Sequence, residues 1–173
     1  MLATISGVLL FSLSCITGIA GLTQEGMYLS VKQVLQTLEK GTLAEREAMM
    51  SRVVAARATA KSHEIAQAVA AELARMNRVT LERQERIAQG ILDPNAPGIG
   101  EYTALLVQAC AQSSDPVVID SLIGTINTGN MATDALARFG PQAFDRVVVV
   151  ALNAEDPTKV TGALVTLRKM LQS

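Results

Sequence analysis

The chain carries one histidine, His63, and two cysteines, Cys15 and Cys110. These residue types serve nucleophilic and metal chemistry most often, so their scarcity limits both. A Ser-His-Asp or Cys-His site would have to be built on His63. His63 stands beside Lys61, Ser62 and Glu64, in a stretch that reads as the start of a helix. A surface or capping histidine is the better reading there. A zinc site needs a cluster of His and Cys, which this chain does not offer. Gly98-Ile99-Gly100 lacks a third glycine and a preceding strand, so it reads as loop and not as a phosphate cradle. Glu155-Asp156 falls at a turn, where helix capping accounts for it. Cys110 lies in "LLVQACAQ" and reads as a small buried hydrophobe. A reactive thiol would need an electropositive setting.

The richest basic stretch is Arg75, Arg78, Arg83 and Arg86, interleaved with Glu72, Glu82 and Glu85 at spacings that allow pairing along one helix. The expectation is a solvated face of mixed charge, with no nucleic-acid partner. The net charge of −1 agrees with that. No catalytic residue, cofactor or metal is expected. Carboxylates that meet only in the fold keep an enzyme open as the weaker alternative.

The elements that would position these residues are helices. Of 173 residues, 49% are apolar but only 3% aromatic, and Trp is absent. Small and aliphatic side chains of this kind suit closely packed helices. Residues 1–24 contain no charge, and Gly18-Ile19-Ala20 places small residues where a signal peptidase reads. A signal peptide over residues 1–20, cut after Ala20, is expected, although no Lys or Arg precedes the apolar run. A membrane anchor over residues 1–22 is the alternative, and a core helix a third reading. A lipid-bearing Cys15 fits poorly, because Leu13 sits two residues before it instead of three.

One helical domain is expected over residues 28–173. Ser30 caps a first helix with apolar Val31, Val34, Leu35 and Leu38 at helical spacing, closed by Gly41. Thr42 with Glu45 forms a capping box for a second, packed antiparallel on the first. Ser62 caps a third, with an apolar line of Ile65, Val69, Leu73 and Met76, and Thr80 caps a separate fourth that ends at Gly90. Prolines and glycines then break the chain between Gly90 and Gly100, giving a loop between two halves. Further helices follow, and in the last two pairs Asp115-Pro116 and Asp156-Pro157 each start the second helix. The run "VVVVAL" has strand propensity but no second strand to pair with, so it reads as a buried helix.

Asp115 and Asp156 lie 41 positions apart, and the apolar pattern repeats with them. Leu106 matches Val147, Val107 matches Val148, Ile119 matches Val160 and Ile123 matches Leu164. A period near this length holding two helices is the mark of a helical solenoid. Aspartate caps the second helix, and proline at its first position loses no N–H.

Residues 134–171, with Ala-Leu-x-x-x-Gly, a helix, Asp-Pro and a second helix, resemble the HEAT-repeat family. Residues 101–126 are a fair second match. Residues 31–54 are a weaker third, with Arg46 where such repeats often carry arginine but Gly41-Thr42 in place of Asp-Pro. Residues 62–90 fit the pattern poorly. The resemblance implies an all-α fold, a short α-solenoid of antiparallel helix pairs, whose second helices line a concave protein-binding surface. Those helices would be Val117–Ile126 and Thr158–Leu171, with Asp120, Lys159, Arg168 and Lys169 as the expected partner-binding residues. The expected function is an exported, non-enzymatic scaffold or adaptor for a protein partner. A membrane-anchored structural protein is one rival. An enzyme or accessory similar to the HEAT-like bilin lyases is another.

Overall fold

The computed structural model describes residues 29–93, 99–127 and 129–172. The expected leader or anchor and residues 94–98 of the expected Gly90–Gly100 loop lie outside the described residues. Within them the fold is all helix and turn, without a strand. The elements are α1 (Val31–Lys40), α2 (Leu43–Ala56), α3 (His63–Ala88), α4 (Gly100–Gln112), α5 (Ile119–Gly124), α6 (Asn130–Phe139), α7 (Pro141–Asn153) and α8 (Pro157–Gln172).

Local chemistry explains most of the boundaries. Thr42 accepts the Glu45 backbone N–H while the Glu45 carboxylate accepts the Thr42 N–H at 2.7 Å, so the capping box forms. Those bonds hold the Glu45 carboxyl below its ordinary range. Ser62 accepts the Ile65 N–H and starts α3. Asp115 accepts the Val117 N–H and opens a 3₁₀ turn, Pro116–Val118, that leads into α5. Asp156 takes the Thr158 N–H at 2.8 Å and starts α8. Gly140, at φ 52°, ends α6 and starts α7 with no loop between them. The valine run lies in α7.

The separate fourth helix does not form. α3 continues through Thr80, whose hydroxyl donates to the Met76 carbonyl at 2.9 Å. A threonine bonded back to the preceding turn stays inside a helix, and neither Gly nor Pro interrupts residues 63–88.

α1 and α2 pack on each other, and both α2 and α3 pack on α4. α6 covers α4 and α5, and α7 and α8 pack on α6 and on each other. One apolar cluster runs through these contacts, from Val34 and Met50 through Leu73, Leu106 and Leu122 to Leu136, Val147 and Ala163. The predicted α3 line, Ile65, Val69, Leu73 and Met76, is buried throughout. Short side chains tie the helices together. Thr59 donates to the Ala109 carbonyl at 2.6 Å and Ser121 to the Ala70 carbonyl at 2.7 Å. No described helix is long and apolar enough to cross a membrane.

Candidate functional site

The interleaved charges of α3 do not all face solvent. Glu72 is 7% exposed. Its carboxylate accepts from Arg75 at 2.6 and 2.7 Å, from the Tyr102 hydroxyl at 2.9 Å and from Arg46 at 3.2 Å. Burial alone would raise its pKa. The Arg75 and Tyr102 bonds, with the charges of Arg75 and Arg46, overcome that and hold it below the ordinary carboxylate range. Burial and the bond to Glu72 push the Tyr102 phenol strongly upward. Arg46 also donates to the Gly41 and Glu39 carbonyls. The cluster therefore ties α1, α2, α3 and α4 together. Three of these bonds fall on Oε1 and one on Oε2, and a charged network bonded in this way acts as a clamp between helices. The reading of Glu72 as part of a solvated face is corrected here. Arg46 and Tyr102, which enclose it, come from outside α3.

His63 sits at the start of α3 with its ring Nδ1 against the Asp115 carboxylate. The Val117 N–H, and then this contact, hold Asp115 below its ordinary range. The imidazole thus joins two helix starts at the surface. Cys110 is buried, and burial pushes its thiol up to about 12, so it is protonated and inert. Among the described residues no group of three or more His, Cys, Asp or Glu could hold a metal ion.

The four expected partner residues do not come together. Asp120 on α5 pairs with Arg146 on α7 at 3.0 Å. Lys169 on α8 reaches Asp134 and Thr133 on α6. Lys159 is half-buried and Arg168 exposed. Nine residues separate these two on α8, about 180° around a helix of 3.6 residues per turn. Asp120 and Lys169 thus serve as ties between helices, and Lys159 and Arg168 point to opposite sides.

What the terminal pair does present is apolar. On α7, Phe144, Val148 and Leu152 recur every fourth residue about 100° around the helix from buried Ala143 and Val147, with Val148 half-buried. Leu152 is 78% exposed, and Val149 lies beside this line. On α8, Val160, Leu164, Leu167 and Leu171 form a second line, with Leu164 56% and Leu171 80% exposed. A helix apolar on both sides is normally covered on both. The repeat could have found this surface, since Leu152 and Leu164 occupy the places of Ala111 and Ile123. Those earlier positions are buried or packed on the core. Comparison with known protein families, curated proteins and solved structures finds no match to this chain.

Proposed function

We propose that the protein is an exported, non-enzymatic adaptor, a short HEAT-like solenoid that binds a protein partner through the outer face of α7 and α8. The observation that carries this reading is the exposed line of Phe144, Leu152, Leu164 and Leu171 on the terminal pair. At the positions matching Leu152 and Leu164 one period earlier, the chain has Ala111 and Ile123, and α6 packs over their helices. A surface of this kind is the apolar core of an interface, where aliphatic and aromatic side chains leave water. The two Asp caps, each taking the N–H two residues on, support the repeat as a structural unit. The uncharged apolar residues 1–20 support export, and their retention as an anchor is the competing reading.

The test is capture from cells making the full chain, by crosslinking in the membrane and soluble fractions, beside a variant carrying Leu152→Ser and Leu164→Ser. Both substitutions fall at exposed positions, so the variant should keep its helical spectrum and melting temperature. One reproducible protein captured by the natural chain and lost from the variant supports the adaptor. Identical captures from both, or none from either, refute it. The mature N-terminus of the captured chain decides between cleavage and anchoring.

A further inference from the structure

A second binding surface lies at the opposite kind of place, a polar cleft where α2, α4 and α6 end. It encloses about 430 Å³, and its walls include Arg57, Gln112, Ser114, Arg138, Phe139 and Gln142. No aspartate or glutamate lines it. Two arginines therefore line one cavity without a carboxylate, in a chain whose net charge is −1. Arg138 donates to the Ala111 carbonyl. The side chains of Arg57, Ser114 and Gln142 have no hydrogen-bond or ion-pair partner among the described residues. Gln112 adds the opposite need. Its Oε1 is buried and receives no hydrogen bond, and a buried acceptor without a donor is a rarity that calls for a partner.

Arg57 itself sits at φ 51°, the only non-glycine residue at positive φ among the described residues. Glycine would suit that C-terminal position of α2 better. An arginine there complements the negative end of α2 at the cost of the positive φ, and places a charged arm beside the cleft.

We infer that this cleft binds a carboxylate that has an N–H donor beside it, as at the C-terminus of a peptide or in an N-acylated amino acid. The guanidinium fork of Arg57, with Arg138 beside it, takes the carboxylate. The neighbouring N–H satisfies Gln112 Oε1. Ala111 and Phe139, both buried apolar residues, supply a floor for a small side chain. The ends of α2, α4 and α6 at the cleft oppose an anion and the start of α7 at Pro141 favours one, so a single negative charge is better tolerated there than the double charge of phosphate. This site goes beyond the adaptor reading and does not depend on the outer face of α7 and α8.

The experiment titrates the full chain by calorimetry with four probes: N-acetyl-alanine, acetyl-trialanine with a free carboxylate, the same tripeptide with an amidated C-terminus, and inorganic phosphate. The free acids should bind and the amidated peptide and phosphate should not. Tighter binding of the tripeptide acid than of N-acetyl-alanine identifies a peptide end as the source, and equal binding a small acid. Arg57→Gly should weaken acid binding at least tenfold while leaving the melting temperature unchanged or raised, because glycine relieves the positive φ. Gln112→Leu should weaken it as well. Equal binding of the acid and amidated peptides, binding of phosphate alone, no binding of either acid at millimolar concentration, or unchanged affinity in Arg57→Gly would overturn the inference.

Discussion

Asp115 and Asp156 do the same local work 41 residues apart, yet the helices they open lead different lives. Asp115 leads through a 3₁₀ turn into α5, a helix of six residues. Asp156 opens α8, of sixteen. α4 carries Tyr102, which enters the core and bonds the buried Glu72. The matching place on α7 is Ala143, buried but without a polar group to anchor it. Ile123 of the first copy is half-buried and packed on the core, while its match in the second, Leu164, is 56% exposed. The lesson is that a repeated pattern fixes how helices begin and which side is apolar. How deep that side is buried depends on what lies over it: the first copy packs between α3 and α6, whereas the second packs on α6 from one side.

The largest expected difference between the copies is in core truncation. Leu122→Ala should cost about 3 kcal/mol in denaturant unfolding, since the site is enclosed and leaves a cavity. Leu152→Ala should cost within about 0.5 kcal/mol. Similar losses from the two would break the distinction between covered and uncovered copies.

Next comes Gly162 on α8, where an added Cβ would stand 2.3 Å from the Ile126 carbonyl oxygen. Gly162→Ala should destabilise by about 2 to 3 kcal/mol through overpacking, despite the better helix propensity of alanine. Gly124→Ala meets only the end of the Asn77 side chain and should cost less. The reverse order in melting temperature would mean that α8 does not seat against the turn after α5.

Acid should then act on the covered copy through its anchor. Glu72→Gln should cost about 2 kcal/mol at neutral pH by weakening charged hydrogen bonds. Because the folded pKa of Glu72 is lowered, its contribution is fully present above the ordinary value of 4.5 and is lost as pH falls through the folded value. The gap between the natural chain and Glu72→Gln should therefore shrink below about pH 4.5. A constant gap in pH-dependent melts would show that the charge of Glu72 does not support the clamp.

The smallest effect concerns the caps. Asp115→Ala should lose about 1 kcal/mol with its N–H partner. Asp156 is more exposed, and its removal should shift melting less. Equal shifts would erase the difference in local setting between the two starts.

Much of this architecture was legible because it rests on neighbours in sequence. The Thr42–Glu45 box, the Ser62 cap and both Asp-Pro starts join residues two or three apart, and the structure forms each one. The valine run is helical as expected from the lack of a strand partner. The misread features depend on distant groups. Thr80 carried a capping signal, but the helix had no reason to stop. Glu72 looked solvated because Arg46 and Tyr102, 26 and 30 residues away, are invisible to helical spacing. The pairs of Asp120 with Arg146 and of Lys169 with Asp134 join different helices and are equally hidden from helical spacing, while Asp120 stays exposed as expected. The cleft has no sequence signal at all, because it is made where three helix ends meet.

Gly140 carries a consequence for how the two surfaces behave together. It is the C-cap of α6 and the N-cap of α7, and Pro141 already fixes its own φ. Only one pair of torsions separates Phe139, in the wall of the cleft, from the rod that bears Phe144, Val148 and Leu152. Such a joint passes any tilt of α7 to the wall of the cleft through one glycine, with no loop between to absorb it. If a partner seated on α7 changes the affinity of the cleft for an acid by some factor, the acid must change the affinity for that partner by the same factor.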